Sequence, residues 1–319
     1  MNVPFFSVVL PVFNEEGVID ELHRRVTAAL QGTGRTYEIL YVDDGSRDGS
    51  FAKLKAVQAT AETVRVIRFS RNFGHHMAIT AGMDAARGEC VVLMDSDLQD
   101  QPEEISKLLA KFDEGFDVVF GIRMGKKHGL LKRAGSLLFV TLMNAIVGDG
   151  GSINTHIFRL VRRNVVDVVK SCREHSRFIV GLVSWAGFDQ IGVPVQHGER
   201  YAGETKYSFF KMVRLALTSM TNFSQIPLQL ASWMGFCASF FAVVYACWLI
   251  ARKVLFNTAA EGWTSTMVSI FFLGGVQLLC LGILGEYIGR VFTGVQDRPL
   301  YVVAKKLGFD SDREDPEHD

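Results

Sequence analysis

The sequence predicts an α/β domain followed by two helices that cross a membrane, and three observations lead there. Short apolar runs rich in β-branched and aromatic residues alternate with polar segments of helical length through the first two thirds of the chain. A parallel sheet covered on both faces requires that alternation. Two long intervals without Asp, Glu, Lys or Arg follow, each enough to cross a hydrocarbon core of about 30 Å. Finally, 48% of the 319 residues are hydrophobic and only 21% charged, which excludes a disordered chain and leans away from an ordinary water-soluble enzyme.

The first expected strand is 5–13 (FFSVVLPVF). The opening MNVPFFSVVLPV lacks a basic leader and a small-residue cleavage site and runs directly into Asn14, Glu15 and Glu16, so it reads as a strand and not as a signal peptide. Further strands are expected at 37–42 (YEILYV), 64–69 (VRVIRF) and 90–94 (CVVLM), with DVVFGIR ending at Arg123. In such sheets ligands bind beyond the carboxyl ends of the strands. Those ends carry Asn14-Glu15, Asp43-Asp44 and Asp95-Ser96-Asp97. The absence of G-x-G-x-x-G and G-x-x-x-x-G-K-[ST] strings removes the usual support for dinucleotide and P-loop readings.

The most informative segment is MDSDLQDQPEE, residues 94–104. If the chain leaves its strand extended, Asp95, Asp97 and Gln99 point to one side. Two carboxylates and an amide oxygen form a hard oxygen set suited to Mg2+ or Mn2+, with positions left for phosphate oxygens and water. Basic and acidic residues balance at 34 each, so no global basic field points to nucleic acid. The five cysteines show no C-x-x-C spacing, which argues against a disulfide framework and a structural zinc site.

Leu215–Ala251 forms the first uncharged interval, 37 residues divided by Pro227, and Gly262–Gly285 the second, 24 residues. The expected organisation is an α/β region 1–207, an interfacial amphipathic segment 208–227, two transmembrane helices within 228–290 and a tail 291–319. Lys206, Lys211 and Arg214 precede the first span, and Arg290, Arg298, Lys305 and Lys306 follow the second, against Arg252 and Lys253 between them. The positive-inside rule then puts both termini in the cytoplasm, and the expected location is an inner membrane that the chain crosses more than once. The acidic end DSDREDPEHD carries no packing pattern and is expected to be disordered.

The strings VVLPVFNEE, YVDDGSRDGS, RNFGHHMAITAG and MDSDLQDQPEE together resemble glycosyltransferase family 2 enzymes. With HGERYAGETKYS, LGILGEYIGR and the two apolar intervals, the chain is similar to the polyisoprenyl-phosphate glycosyltransferases of that family, the group of bactoprenol glucosyltransferases and relatives of dolichyl-phosphate mannose synthase. The resemblance covers roughly residues 5–305. It implies a GT-A, Rossmann-like catalytic domain that transfers one sugar, with inversion, from a nucleotide sugar to polyprenyl phosphate at the membrane. Pro11, Phe13 and Glu15 would then surround the nucleotide, Val42 and Asp44 would hold base and ribose, and Asp95, Ser96, Asp97 and Gln99 would form the metal and diphosphate site. Arg123, Arg200 and Lys206 would clasp the donor diphosphate or the acceptor phosphate, and Arg133 and Ser136 would also meet the acceptor phosphate. His75 and His76 divide evenly between a substrate-loop role and a plain polar-loop role. Assembly with further copies of the chain is left open.

One departure stands out. Related glucosyltransferases carry Gly-Asp-Phe-Arg-Leu with the Asp proposed as base, whereas this chain has Asn154-Thr155-His156-Ile157-Phe158-Arg159-Leu160. Ile157 cannot accept a proton, but a phosphate monoester with a second pKa of about 6 is already largely anionic at pH 7. Three other functions fit the sequence less well. A processive polysaccharide synthase would need a Q-x-x-R-W string and more spans. A catalytically silent nucleotide-sugar-binding partner of a glycan assembly complex draws its only support from Ile157. A transporter lacks the intramembrane ionisable residues it would need.

Overall fold

An eight-stranded sheet organises the first two thirds of the chain. The computed structural model describes residues 3–123, 156–175, 177–196, 198, 226–256 and 262–309. The chain divides into two units, Met1–Lys206 with Arg298–Asp319, and Tyr207–Asp297.

In the first unit β1 (Phe6–Val12), β2 (Tyr37–Asp43), β3 (Val64–Phe69) and β4 (Cys90–Leu93) match the expected strands. All seven residues of β1 are buried. An apolar run without alternation suits this central position, because β1 pairs in parallel with both β2 and β4 and has helices over its faces. Between the strands lie α1 (Ile19–Gly32), α2 (Ser50–Thr60) and α3 (His75–Ala85). Helix α1 buries Ile19, Leu22, Val26 and Leu30, a stripe at helical spacing. A short 3-10 turn, Pro102–Glu104, leads into α4 (Ile105–Asp113), which buries Ile105, Leu108 and Phe112 in the same way.

The sheet is mixed, not wholly parallel as expected. β5 (Val118–Arg123) is followed by β6 (Arg159–Arg162), which runs antiparallel to both β4 and β5. After α5 (Arg163–Ser171) and α6 (Ile179–Trp185), β7 (Gln190–Val195) pairs in parallel with β5 at one edge. The opposite edge is closed by β8 (Val303–Leu307), antiparallel to β3. This strand falls in the segment expected to be a tail, 291–319. Three contacts hold it: Ser70 N–H donates to the Val302 carbonyl at 3.0 Å, the Tyr301 ring stacks on Phe69 at 5.0 Å, and the Tyr301 hydroxyl donates to Asp84 at 2.8 Å. The Arg65 guanidinium also lies 3.7 Å from the centre of the Phe309 ring. These anchors hold the strand in the sheet although Ala304, Lys305 and Lys306 are exposed.

The second unit contains α7 (Ile226–Phe256, 31 residues) and α8 (Trp263–Val295, 33 residues). Each holds a stretch long and apolar enough to cross a membrane, Ala231–Arg252 and Thr266–Val295. Phe241, Phe271 and Leu278 are among many large apolar side chains left exposed along them, a surface suited to lipid. The Cys280 thiol against the Ala231 carbonyl, 3.5 Å, ties the two helices together. Helix α8 runs five residues beyond the expected limit at 290 and includes a Glu286–Arg290 ion pair at 2.8 Å. The expected interfacial segment 208–227 lies outside the described residues except for its last two, which begin α7, and the acidic end lies outside them too. All five cysteines are free.

Candidate active site

The loops after β1 and β2 are bound to each other. Asn14 N–H donates to Ser46 Oγ at 3.0 Å, Arg47 N–H donates to Asn14 Oδ1 at 2.9 Å, and Glu15 N–H donates to Ser50 Oγ at 2.9 Å. Asn14 adopts φ of 56°, a left-handed conformation that Asn tolerates better than most residues. Gly45 is required in the second loop: its φ is +69°, and an added Cβ would stand 2.5 Å from the Arg71 carbonyl carbon. The turn is closed by Asp43, which accepts from Ser46 N–H at 2.9 Å and pairs with Arg68 at 3.3 Å.

Asp44 is buried and accepts from Phe73 N–H at 2.7 Å and Gly74 N–H at 3.0 Å. Burial holds its carboxyl above the usual range, against the opposing pull of those two N–H groups. It thereby fixes the loop that starts α3, which presents His75 and His76. His75 Nε2 stands 3.3 Å from Asp95 Oδ1, while His76 turns its ring edge-on to Phe178 at 5.5 Å. Desolvation lowers both imidazoles, His76 to about 4 with help from His75 and Arg177. The structure therefore separates the pair: His75 stands beside a carboxylate of the expected metal set, and His76 is packed as a neutral ring.

After β4 the backbone does not stay extended. Residues 96–99 turn, Leu98 takes φ of 59°, and Gln99 N–H donates to Asp97 Oδ1 at 3.1 Å. This corrects the geometry expected for MDSDLQD, although the alternation of exposure survives. Asp95, Asp97 and Gln99 are half-buried while Met94, Ser96, Leu98 and Asp100 are buried. Ser96 is committed to the scaffold, its hydroxyl donating to the Pro11 carbonyl at 2.7 Å. Among the described residues no three His, Cys, Asp or Glu side chains form a group able to hold a metal ion.

Pro11 and Val42 are buried partners in register across β1 and β2, so their side chains serve the scaffold beneath the loops. Phe13 is 43% exposed and lines a cavity of about 500 Å3 together with Asn14, Ser46, Arg71 and Lys305. Arg123 ends β5; its side chain, and all of Arg133, Ser136, Asn154, Arg200 and Lys206, lie outside the described residues. Gly198, two positions before Arg200, donates its N–H to the Gln99 carbonyl at 2.8 Å. An added Cβ there would collide with the Gln101 side-chain amide. Ile157 is 8% exposed and belongs to an apolar cluster with Val9, Leu40, Ile79 and Leu93. Ser46, Gln101 and Gly198 were missed from sequence. The D-D-G-S string at a strand end was the available signal for the first.

Residues 7–169 match the model of Glycosyl transferase family 2, and residues 226–291 match the GtrB C-terminal hairpin. An uncharacterized glycosyltransferase of Bacillus subtilis, YkcC, is 41% identical over 97% of this chain and 96% of its own. A prophage bactoprenol glucosyl transferase homolog of Escherichia coli is 36% identical over 94% of this chain and 98% of its own. The undecaprenyl-phosphate 4-deoxy-4-formamido-L-arabinose transferase of Klebsiella pneumoniae is 35% identical, covering 94% and 92%. Among solved structures, glucosyl-3-phosphoglycerate synthase from Mycobacterium tuberculosis, in complex with Mg2+ and uridine-diphosphate, superposes with a TM-score of 0.50 at 18% identity over 69% of this chain and 79% of that one. That likeness concerns the fold alone.

Proposed function

This chain belongs to glycosyl transferase family 2, a GT-A fold followed by a GtrB-type hairpin, and from that premise we propose that it transfers one sugar from a UDP-linked donor to polyprenyl phosphate. The product is a polyprenyl-phosphate sugar, made on the cytoplasmic leaflet for modification of cell-envelope glycans. The similarity to relatives named for bactoprenol and undecaprenyl phosphate carries this reading, because it spans both the catalytic unit and the hairpin.

An oxygen of the acceptor phosphate attacks the anomeric carbon as the bond from that carbon to the nucleotide oxygen breaks. The electron pair leaves on the diphosphate, and the sugar inverts. With a second pKa of about 6 the acceptor is mostly dianionic at pH 7, so no side-chain base is required and Ile157 is no obstacle. Positioning and charge supply the acceleration. Asp95 and Asp97, with Gln99 beside them, fit Mg2+ or Mn2+: two half-buried carboxylates suffice when diphosphate and water fill the other positions. The bound cation supplies charge neutralisation at the leaving diphosphate. Asp44 holds the loop of His75 in place and borders the ribose, with Pro11, Phe13, Glu15 and Val42 framing the nucleotide. Arg123, Arg200 and Lys206 clamp the phosphates, and Arg133 and Ser136 meet the acceptor. Arg offers bidentate pairing where Lys offers a point charge.

Incubating membranes that contain the protein with a panel of labelled nucleotide sugars and undecaprenyl phosphate tests the proposal. One labelled sugar should appear in a lipid product that mild acid releases. Donor binding with no lipid product from any donor would favour the silent-partner reading instead.

A further inference from the structure

The cavity beside the β1 and β2 loops is completed by the far end of the chain. Its wall takes Phe13 and Asn14 from after β1, Gly45–Arg47 from after β2, Arg68–Asn72 from β3 and the loop beyond, and Ala304 and Lys305 from β8. Lys305 is directly opposite Arg68 in the antiparallel ladder, so two cations face each other across strands, an unfavourable pairing if nothing intervenes. Arg68 is answered by Asp43 at 3.3 Å and lies over the Phe51 ring at 4.3 Å. Arg71 is held over Phe73 at 4.0 Å and donates to the Asn72 carbonyl at 3.1 Å. The Lys305 ammonium has no such counterpart among the described residues: the residue is exposed, and its side chain has neither ion pair nor hydrogen bond with them. An ammonium that can only donate is thus left in the wall of a cavity of about 500 Å3, whose lining also includes the exposed Phe13 and Gly45, the residue after Asp44.

We propose that Lys305 is a specificity-determining residue that donates to a ring carbonyl oxygen of the donor's base, so that the strand beyond the membrane hairpin selects the nucleotide. This rests on the transferase reading above. Flat aromatic surface at Phe13 and an excess of donors along the wall suit a heterocycle bearing oxo groups. A base with an exocyclic amine at that position would bring donor against donor and leave the ammonium unpaired.

Calorimetry on the full-length protein in detergent, with UDP and CDP as probes in the presence of Mg2+, tests this. Wild type should bind UDP more tightly than CDP. Lys305→Gln should weaken UDP by about tenfold, the scale of one hydrogen bond from a charged donor, and CDP by much less, so that the ratio between them collapses. Lys306→Gln removes the same charge from the neighbouring position outside the cavity wall and should leave the ratio intact. An unchanged ratio in Lys305→Gln would overturn the inference while leaving the transferase reading standing, as would equal weakening of both nucleotides in the two variants. Failure of wild type to bind either nucleotide would bring down both.

Discussion

Ile157 is 8% exposed and belongs to an apolar cluster, so a carboxylate in its place would have to be buried without a polar environment. Ile157→Asp should therefore destabilise the catalytic unit by about 3 kcal/mol, the cost of an unpaired buried polar group, and should not raise turnover. Thermal unfolding and initial rates measure the two effects, and a variant as stable as wild type and tenfold faster would show that a base was missing. The phosphate clamp is expected to matter more. Arg200→Ala and Lys206→Ala should each slow transfer at least about tenfold, or 1.4 kcal/mol. His156→Ala should cost less, and the rate should fall below about pH 6 as the acceptor is protonated; abolition of transfer in His156→Ala with normal substrate binding would reverse that ranking. At the carboxylate turn, Asp97→Asn should cut turnover by about a hundredfold or more without unfolding the domain, and chelation by EDTA should mimic it. Full activity in excess EDTA would remove the metal from the mechanism. Of these residues, the carboxylates were legible because acidic clusters at strand ends stand out. Gly198 was not, because its role depends on an approach to Gln99 and Gln101 that no local pattern encodes.

Helix α3 carries the clearest pH dependence among the elements. His76 in its first turn is held neutral by burial, with its pKa lowered to about 4, whereas an unfolded His titrates near 6.5. The unfolded chain binds the extra proton between these values, so stability is full above pH 6.5 and declines as pH falls toward 4. His76→Gln should flatten that acid limb in denaturant titrations at pH 7, 6 and 5; an unaltered slope would mean the ring is not held neutral. Elements differ in how plainly the sequence announces them. β1 to β4 are almost wholly buried and read as mostly apolar runs, broken only by Ser7, Glu38, Arg65 and Arg68 and by Asp43 at the end of β2. β6 hides because RLVR begins with Arg159, which the fold nevertheless buries completely, its guanidinium donating to the His156 carbonyl at 2.6 Å and its pKa lowered to about 10 by desolvation. β7 contains Gly192 and Pro194, which weaken a strand assignment, yet it lies at a sheet edge where Pro is tolerated. β8 carries Lys305 and Lys306, and only its distant anchors make it a strand.

For the whole molecule the expected topology has both termini on the cytoplasmic side. In a background without native cysteines, a Cys introduced at Thr258 should react with a membrane-impermeant maleimide in intact cells, and one at Ser311 should react only after lysis. The reverse pattern would invert the topology. β8 also has a consequence in time. The ribosome completes β3 at Phe69 but does not reach Val303 until more than two hundred residues later, after both apolar helices have been made. At about 5–20 residues per second, the edge of β3 stays unpaired for roughly ten seconds or more, a row of open hydrogen-bonding groups that invites mispairing. Final closure of the catalytic sheet therefore waits for the hairpin to be synthesised, so a nascent chain arrested at that stage should remain sensitive to proteases around β3.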